Sequence, residues 1–191
     1  DTATIEIYTL SLHDALPIWS LKYKVNILPA SPTFLNLMLI GECPSHYDLT
    51  SLRMITYGTE PMPESLLAKL KDAFPRVKFL QTFGTSETGI SATSSYSSTS
   101  TFLKIDDPNT EYKIINGELW LRSKTQIMGY LNSSMERFTD DGWFKTGDMV
   151  EEKDGYIKII GRNSDIINVG GEKVLPSEVE SVLFQMPHVN D

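Results

Sequence analysis

From Leu21 onward the apolar positions alternate between short continuous runs and stretches at helical spacing. Val25-Asn26-Ile27-Leu28 reads as a short buried strand, which Pro29 and Pro32 break. Ser31-Pro32 then supplies an N-cap and a first-turn proline. Phe34, Leu35, Leu37, Met38 and Ile40 continue it as a strongly apolar helix, and Gly41 ends it. Leu52 to Tyr57 is a second strand. Pro63 to Phe74 predicts an amphipathic helix with Leu66, Leu67, Leu70 and Phe74 on one side and Lys69, Lys71 and Asp72 on the other. Val77 to Gln81 returns as a third strand. This alternation predicts the α/β class, as part of a doubly wound, mainly parallel sheet whose ligands sit beyond the carboxyl ends of the strands.

After Gln81 the pattern changes. Ile90 to Thr101 (ISATSSYSSTST) is rich in hydroxyls and fits either a low-complexity linker or an extended segment lining a pocket. Glu111 to Ile115, Asn116-Gly117 and Glu118 to Arg122 form the strongest hairpin signal in the chain. With Gln126 to Tyr130, Trp143-Phe144, Asp148 to Val150 and Tyr156 to Ile160, they predict a small, distorted β-barrel from about residue 105 to Gly161. Pro176 to Met186 reads as a helix, with Ser177-x-x-Glu180 as a capping box and Val179, Val182, Leu183 and Met186 at helical spacing. The expected divisions are an atypical or foreign segment at 1–18, a partial α/β nucleotide- and substrate-binding subdomain at 19–104, the barrel at 105–163, and a hinge with the start of a C-terminal α+β domain at 164–191. His13-Asp14 is no catalytic pair, because neighbours on a strand point to opposite faces.

With 191 residues the chain can bury one substantial core or parts of two. A net charge of −8 argues against a nucleic-acid partner, whose phosphates need a basic surface. Cys43 is the one cysteine, so no internal disulfide framework exists and no Cys/His spacing suggests zinc. No apolar run is long enough to span a bilayer and no basic leader opens the chain. The expectation is a cytoplasmic protein.

The richest stretch runs from Gly142 to Gly171. It presents an acid and a base, Asp148 and Arg162, each beside a glycine and on either side of a short strand, as a chain does when it offers polar groups to a small ligand. Trp143-Phe144-Lys145-Thr146-Gly147-Asp148, Asp154-Gly155-Tyr156, Gly161-Arg162-x-x-Asp165 and Gly170-Gly171-x-x-Val174-x-Pro176-x-Glu178-Val179-Glu180 together resemble the adenylate-forming superfamily. Its members include acyl-CoA synthetases, aryl-CoA ligases, luciferases and peptide-synthetase adenylation domains.

The resemblance implies ATP or AMP, Mg²⁺ and coenzyme A as cofactors. It implies a carboxylic acid substrate such as a fatty acid, and a thiol acceptor on coenzyme A or a carrier protein. Gly58-Thr59-Glu60-Pro61 would bring backbone to adenine, with Glu60 facing solvent. Thr82-Phe83-Gly84-Thr85-Ser86-Glu87-Thr88 is similar to the family's aromatic-Gly-x-Thr-Glu motif, with Phe83 where tyrosine is usual and Ser86 where threonine is usual. Phe83 would stack on adenine and Ser86 would meet the α-phosphate, while Glu87 would be the Mg²⁺ ligand. Asp148 would accept from two ribose hydroxyls, and Arg162 would bridge ribose oxygen and phosphate. The family's hinge falls at Ser164, where Asp or Lys is commoner. Gly170-Gly171 fits either the approach of a phosphopantetheine thiol or a type I′ or II′ turn. Pro32, Phe34 and Met38 lie near the family's acyl pocket but suit packing.

Neither the family's phosphate loop nor its C-terminal lysine is found, so the sequence reads as an internal fragment with reduced or no turnover of its own. The parent activity implied is an acid–thiol ligase. Two other activities are a carrier-loading adenylation domain and an acyl-AMP ligase; a non-catalytic nucleotide-binding module is the reading from another class. Gly84-x-Ser86-x-Thr88 also approaches the nucleophile elbow of α/β-hydrolases, without its second glycine.

Overall fold

A computed structural model describes residues 20, 22–183, 186 and 189. The segment 1–18, with His13-Asp14, lies outside the described residues. The first layer runs β1 (Ile27–Ala30), α1 (Pro32–Ile40), a single helical turn α2 (Cys43–His46), β2 (Met54–Tyr57), α3 (Glu64–Ala73) and β3 (Lys78–Gln81). The three strands pair in parallel in the order β1-β2-β3. Successive crossovers in one direction put both long helices on the same face, where they touch. The first strand starts two residues later than expected, and Ile27 is exposed while Leu28 is buried.

Local chemistry explains α1. Ser31 Oγ accepts from the Phe34 N–H at 3.1 Å, and Pro32 follows at the first helical position. Glu60 completes the cap from a distance, accepting from Thr33 N at 2.7 Å and from Thr33 Oγ1 at 2.9 Å. Glu60 is therefore half-buried and occupied, and the solvent-facing expectation is corrected. Leu35, Met38, Ile55, Tyr57, Leu67, Leu70 and Phe79 form the centre of the first core, with Phe34 packed at its edge. Each such aliphatic side chain contributes about 1.5–3 kcal/mol by leaving water. Pro32 and Met38 are buried in this layer, in keeping with packing.

The second layer is a curled half-barrel. A short hairpin, β4 (Phe83–Thr85) and β5 (Gly89–Ser91), leads into β6 (Thr93–Ser95), β7 (Leu103–Ile105), β8 (Thr110–Ile115), β9 (Glu118–Ser123), β10 (Phe144–Lys153) and β11 (Tyr156–Arg162). The last six form one sheet in the order β6-β7-β11-β10-β9-β8. Asn116 and Gly117, with φ of 53° and 81°, make the tight turn between β8 and β9. Leu103, Ile105, Leu119, Leu121, Val150 and Ile157 fill the second core. The hydroxyl-rich stretch is no free linker: it joins the two layers. Thr93 Oγ1 donates to Gln81 O at 2.7 Å and Gln81 N donates to Ser95 Oγ at 3.3 Å, tying β6 to the end of β3.

Beyond β11 come a 3-10 turn (Asn163–Asp165), the hairpin β12 (Ile167–Val169) and β13 (Glu172–Val174), and α4 (Pro176–Leu183). The cap of α4 differs from the expected Ser177–Glu180 box. Glu178 Oε2 accepts from Leu175 N at 3.1 Å, and Ser177 Oγ donates instead to Ile160 O, pinning the helix start to β11. Among the described residues no helix is long and apolar enough to cross a membrane.

Candidate functional site

Asp148 owes its position to a fault in the sheet. Phe144 and Lys145 oppose Leu121 and Trp120, yet the next partner pair is Met149 with Glu118, so β10 carries extra residues there. Such a bulge re-aims side chains and leaves ladder groups unpaired. Side chains replace the missing bonds. Thr146 Oγ1 donates to Leu119 O at 2.6 Å, Gly147 N donates to Glu118 Oε1 at 2.9 Å, and Asp148 N donates to Thr146 Oγ1 at 3.0 Å. Gly147 has φ of 78°, and a Cβ there would sit 2.7 Å from Arg137 Nη2. The aromatic turn before it is anchored by Trp143, which lies beneath Lys113 Nζ at 4.2 Å and the Arg122 guanidinium at 4.7 Å.

Across β10 and β11, Asp148 faces Arg162 directly, and Arg162 Nε lies 3.4 Å from Asp148 Oδ1. The pair is asymmetric: the Asp148 side chain is 12% exposed and that of Arg162 is 62% exposed. Burial pushes the Asp148 carboxyl above its ordinary value, while Arg162 and Arg137 pull it back. A second cation missed in the sequence, Arg137, therefore belongs to this neighbourhood. It donates from Nη2 to Thr146 O at 3.2 Å, and its only advance signal was proximity to the Trp143–Asp148 motif.

Glu87 sits in the tight connection between β4 and β5. Thr85 Oγ1 lies 2.9 Å from Thr88 Oγ1 and accepts from Thr88 N at 3.0 Å, closing the loop around Ser86 and Glu87. Ser86 is exposed. Because antiparallel strands flank it, with Thr85 opposite Gly89, the strand-to-helix geometry of a hydrolase elbow is absent at this loop. Glu87 Oε1 accepts from Tyr130 Oη at 2.7 Å. Tyr130 is the other residue whose contact the sequence did not disclose.

Gly58 lies against Thr82, since a Cβ on it would meet Thr82 O at 2.7 Å. Gly84 is equally tight, with Gly89 O at 2.7 Å from a Cβ. The Gly58 loop and the Thr82–Gly84 strand are thus brought together, while Thr59 is exposed with φ of 73°. Phe83 packs part of its ring on the second core. Glu60 and Pro61 line a cavity of about 530 Å³ shared with Lys158, Ile160 and Ser177, and Glu87, Asp148 and Arg162 are not on its walls. Ser164 lies exposed in the 3-10 turn, with Oγ 2.8 Å from Asp165 Oδ1. Gly170 and Gly171, at φ of 60° and 96°, make the turn between β12 and β13, and a Cβ on either meets nothing within 4 Å. Backbone conformation is what demands glycine there.

The chain is similar to known proteins along most of its length. The family model described as AMP-binding enzyme matches residues 11–131. A probable CoA ligase of Humulus lupulus (CCL5) is 31% identical over 89% of this chain and 35% of its own length. The 4-coumarate–CoA ligase-like protein 9 of Arabidopsis thaliana is 30% identical over 89% of this chain and 34% of its own length. This chain thus spans about a third of the length of such relatives. Among solved structures, the anthranilate CoA ligase AuaEII in complex with anthranoyl-AMP superposes with a TM-score of 0.79 at 25% identity, over 94% of this chain and 38% of that one. Matched by its family model and by CoA ligases along most of its length, this chain belongs to the AMP-binding enzyme family.

Proposed function

We propose that the chain carries part of the nucleotide site of an ATP-dependent acid–thiol ligase. The observation that supports this best is the buried Asp148 carboxylate held 3.4 Å from the exposed Arg162 guanidinium. An acid with two acceptor oxygens grips vicinal ribose hydroxyls, and a guanidinium with donors to spare reaches a ribose oxygen and a phosphate together. The Gly58 loop, free of side-chain bulk against Thr82, offers backbone to the base, and the half-buried Phe83 ring offers it a face. The exposed Ser86 hydroxyl is available to the α-phosphate.

In the parent reaction an acid's carboxylate oxygen attacks the α-phosphorus of ATP as the bond to pyrophosphate breaks. The thiol sulfur of coenzyme A then attacks the acyl carbon of the adenylate and AMP leaves. Glu87 would hold Mg²⁺, since its Oε2 has no hydrogen-bond partner among the described residues. Magnesium is held by one or two carboxylates plus substrate phosphates. A cation held there would offset charge on the departing pyrophosphate. Arg137 and Arg162 add fixed positive charge around Asp148. Ser164, in the turn straight after Arg162, is the proposed pivot, and the Gly170-Gly171 turn is the proposed approach for the thiol.

Isothermal titration of the chain with ATP tests the reading. Asp148→Ala is expected to weaken binding more than tenfold while the unfolding transition stays cooperative. An Asp148→Ala chain that melts yet binds ATP unchanged would sink it. In the whole protein, acid-dependent pyrophosphate exchange separates an enzyme from a binding module, and acceptance of coenzyme A separates a CoA ligase from a carrier-loading domain.

A further inference from the structure

Tyr130 lies on a strap, residues 125–130, that crosses the Glu87 turn. The strap is fastened to main chain on both sides: Ile127 N donates to Glu87 O at 2.8 Å and Thr125 Oγ1 donates to Thr88 O at 2.7 Å. Those bonds hold the turn without Tyr130. The phenol does something different, donating to the carboxylate itself, at Oε1, over 2.7 Å. Met128 and Leu131 nearby are fully exposed, whereas Tyr130, like Gln126 and Ile127 earlier in the strap, is half-buried. The ring is braced at its edge by Phe138, with centroids 5.9 Å apart, and Phe138 leans on the buried Phe144 at 4.9 Å.

We propose that Tyr130 is the positioning residue that makes Glu87 a one-oxygen ligand, and that the site thereby favours Mg²⁺ over Ca²⁺. This rests on the reading of Glu87 as the carboxylate that faces a nucleotide-bound cation. A carboxylate torsion of Glu is broad and two-fold, so a free side chain can offer either oxygen or both. Oε1 spends a lone pair on Tyr130, whereas Oε2 has no hydrogen-bond partner among the described residues and is the oxygen freer to meet a cation. Magnesium demands near-octahedral geometry, whereas calcium accepts a carboxylate through one oxygen or two. Disfavouring two-oxygen ligation therefore costs calcium more than magnesium.

The test is ATP binding to the full chain, measured without metal, with Mg²⁺ and with Ca²⁺, for the unmodified chain and for Tyr130→Phe, Glu87→Gln and Thr125→Val. Tyr130→Phe keeps the ring and its contact with Phe138. It is expected to lower the ratio of Mg²⁺- to Ca²⁺-supported affinity by about tenfold, the lower end of the scale of a lost hydrogen bond to a charged group, with metal-free binding unchanged. Glu87→Gln is expected to remove the metal dependence, and adding Tyr130→Phe to it should change nothing more. Thr125→Val, which cuts a main-chain anchor, should lower stability and leave the ratio alone. Equal loss with both cations and without metal would mean that Tyr130 only braces the loop, and the inference would fall. So would an unmodified chain that binds ATP equally well with either cation, whatever the variants do. If Glu87→Gln keeps its metal dependence, the reading of Glu87 fails first and takes the inference with it.

Discussion

The two sheets of this protein solve backbone pairing differently. In β1-β2-β3 the registers run without a shift, and the buried side chains on the covered face are almost all apolar. In the half-barrel, β10 loses register with both neighbours near Gly147 to Val150. Thr146 and Glu118 repair the ladder with side chains, and Asp148 emerges beside the repair, opposite Arg162. A regular ladder consumes every backbone group and leaves side chains only packing to do. An irregular one can aim a polar group, provided other polar groups fill the gap.

The largest expected effect on stability falls in the core packed on the regular sheet. Leu70→Ala empties a fully buried position in the first core and should cost about 2–5 kcal/mol by chemical denaturation. It should leave the nucleotide affinity of the surviving folded molecules intact. Gly147→Ala attacks the irregular strand instead. The positive φ and the 2.7 Å approach of Arg137 Nη2 should cost about 1–3 kcal/mol and also displace Asp148, lowering ATP affinity at least tenfold. Equal binding after that change would show that the bulge does not aim the acid. Thr93→Val removes the hydroxyl bonded to Gln81 O and should cost about 1 kcal/mol, loosening the seam between the sheets while both cores stay filled.

Asp148→Asn sharpens the contrast by changing sign. Because the folded-state carboxyl is raised by burial, its charge works against folding once pH exceeds the ordinary Asp value of about 3.9. The variant should therefore be as stable as the parent below that pH and slightly more stable at neutral pH, while binding ATP less well. Urea denaturation at pH 3.5 and pH 7 measures this. A variant less stable than its parent at pH 7 would show that the pair with Arg162 outweighs desolvation.

Legibility followed the range of the forces involved. The Ser31-Pro32 helix start was readable because its cap lies within three residues, and the Asn116-Gly117 turn because few residues adopt two positive φ angles in a row. The α4 cap was misassigned by two positions, since Glu178 rather than Glu180 reaches back, to Leu175 N, and Ser177 bonds to the distant Ile160 O instead. Glu60 was misplaced from sequence, because its partner Thr33 belongs to a helix on the far side of β2. Glu87, Asp148 and Arg162 were singled out through motif order, whereas Tyr130 and Arg137 gain meaning only from the atoms beside them.

Residue order by itself determined the strand and helix alternation, the hairpin turns and the family, because periodicity, capping and turn chemistry act over a few residues and motif spacing survives along a chain. The tertiary structure alone decided which carboxylate oxygen is engaged, which helix a distant glutamate caps and where β10 abandons its register. Those outcomes depend on contacts between segments tens of residues apart, and hydrogen-bond geometry a few tenths of an ångström wide selects among partners that the sequence presents as equivalent.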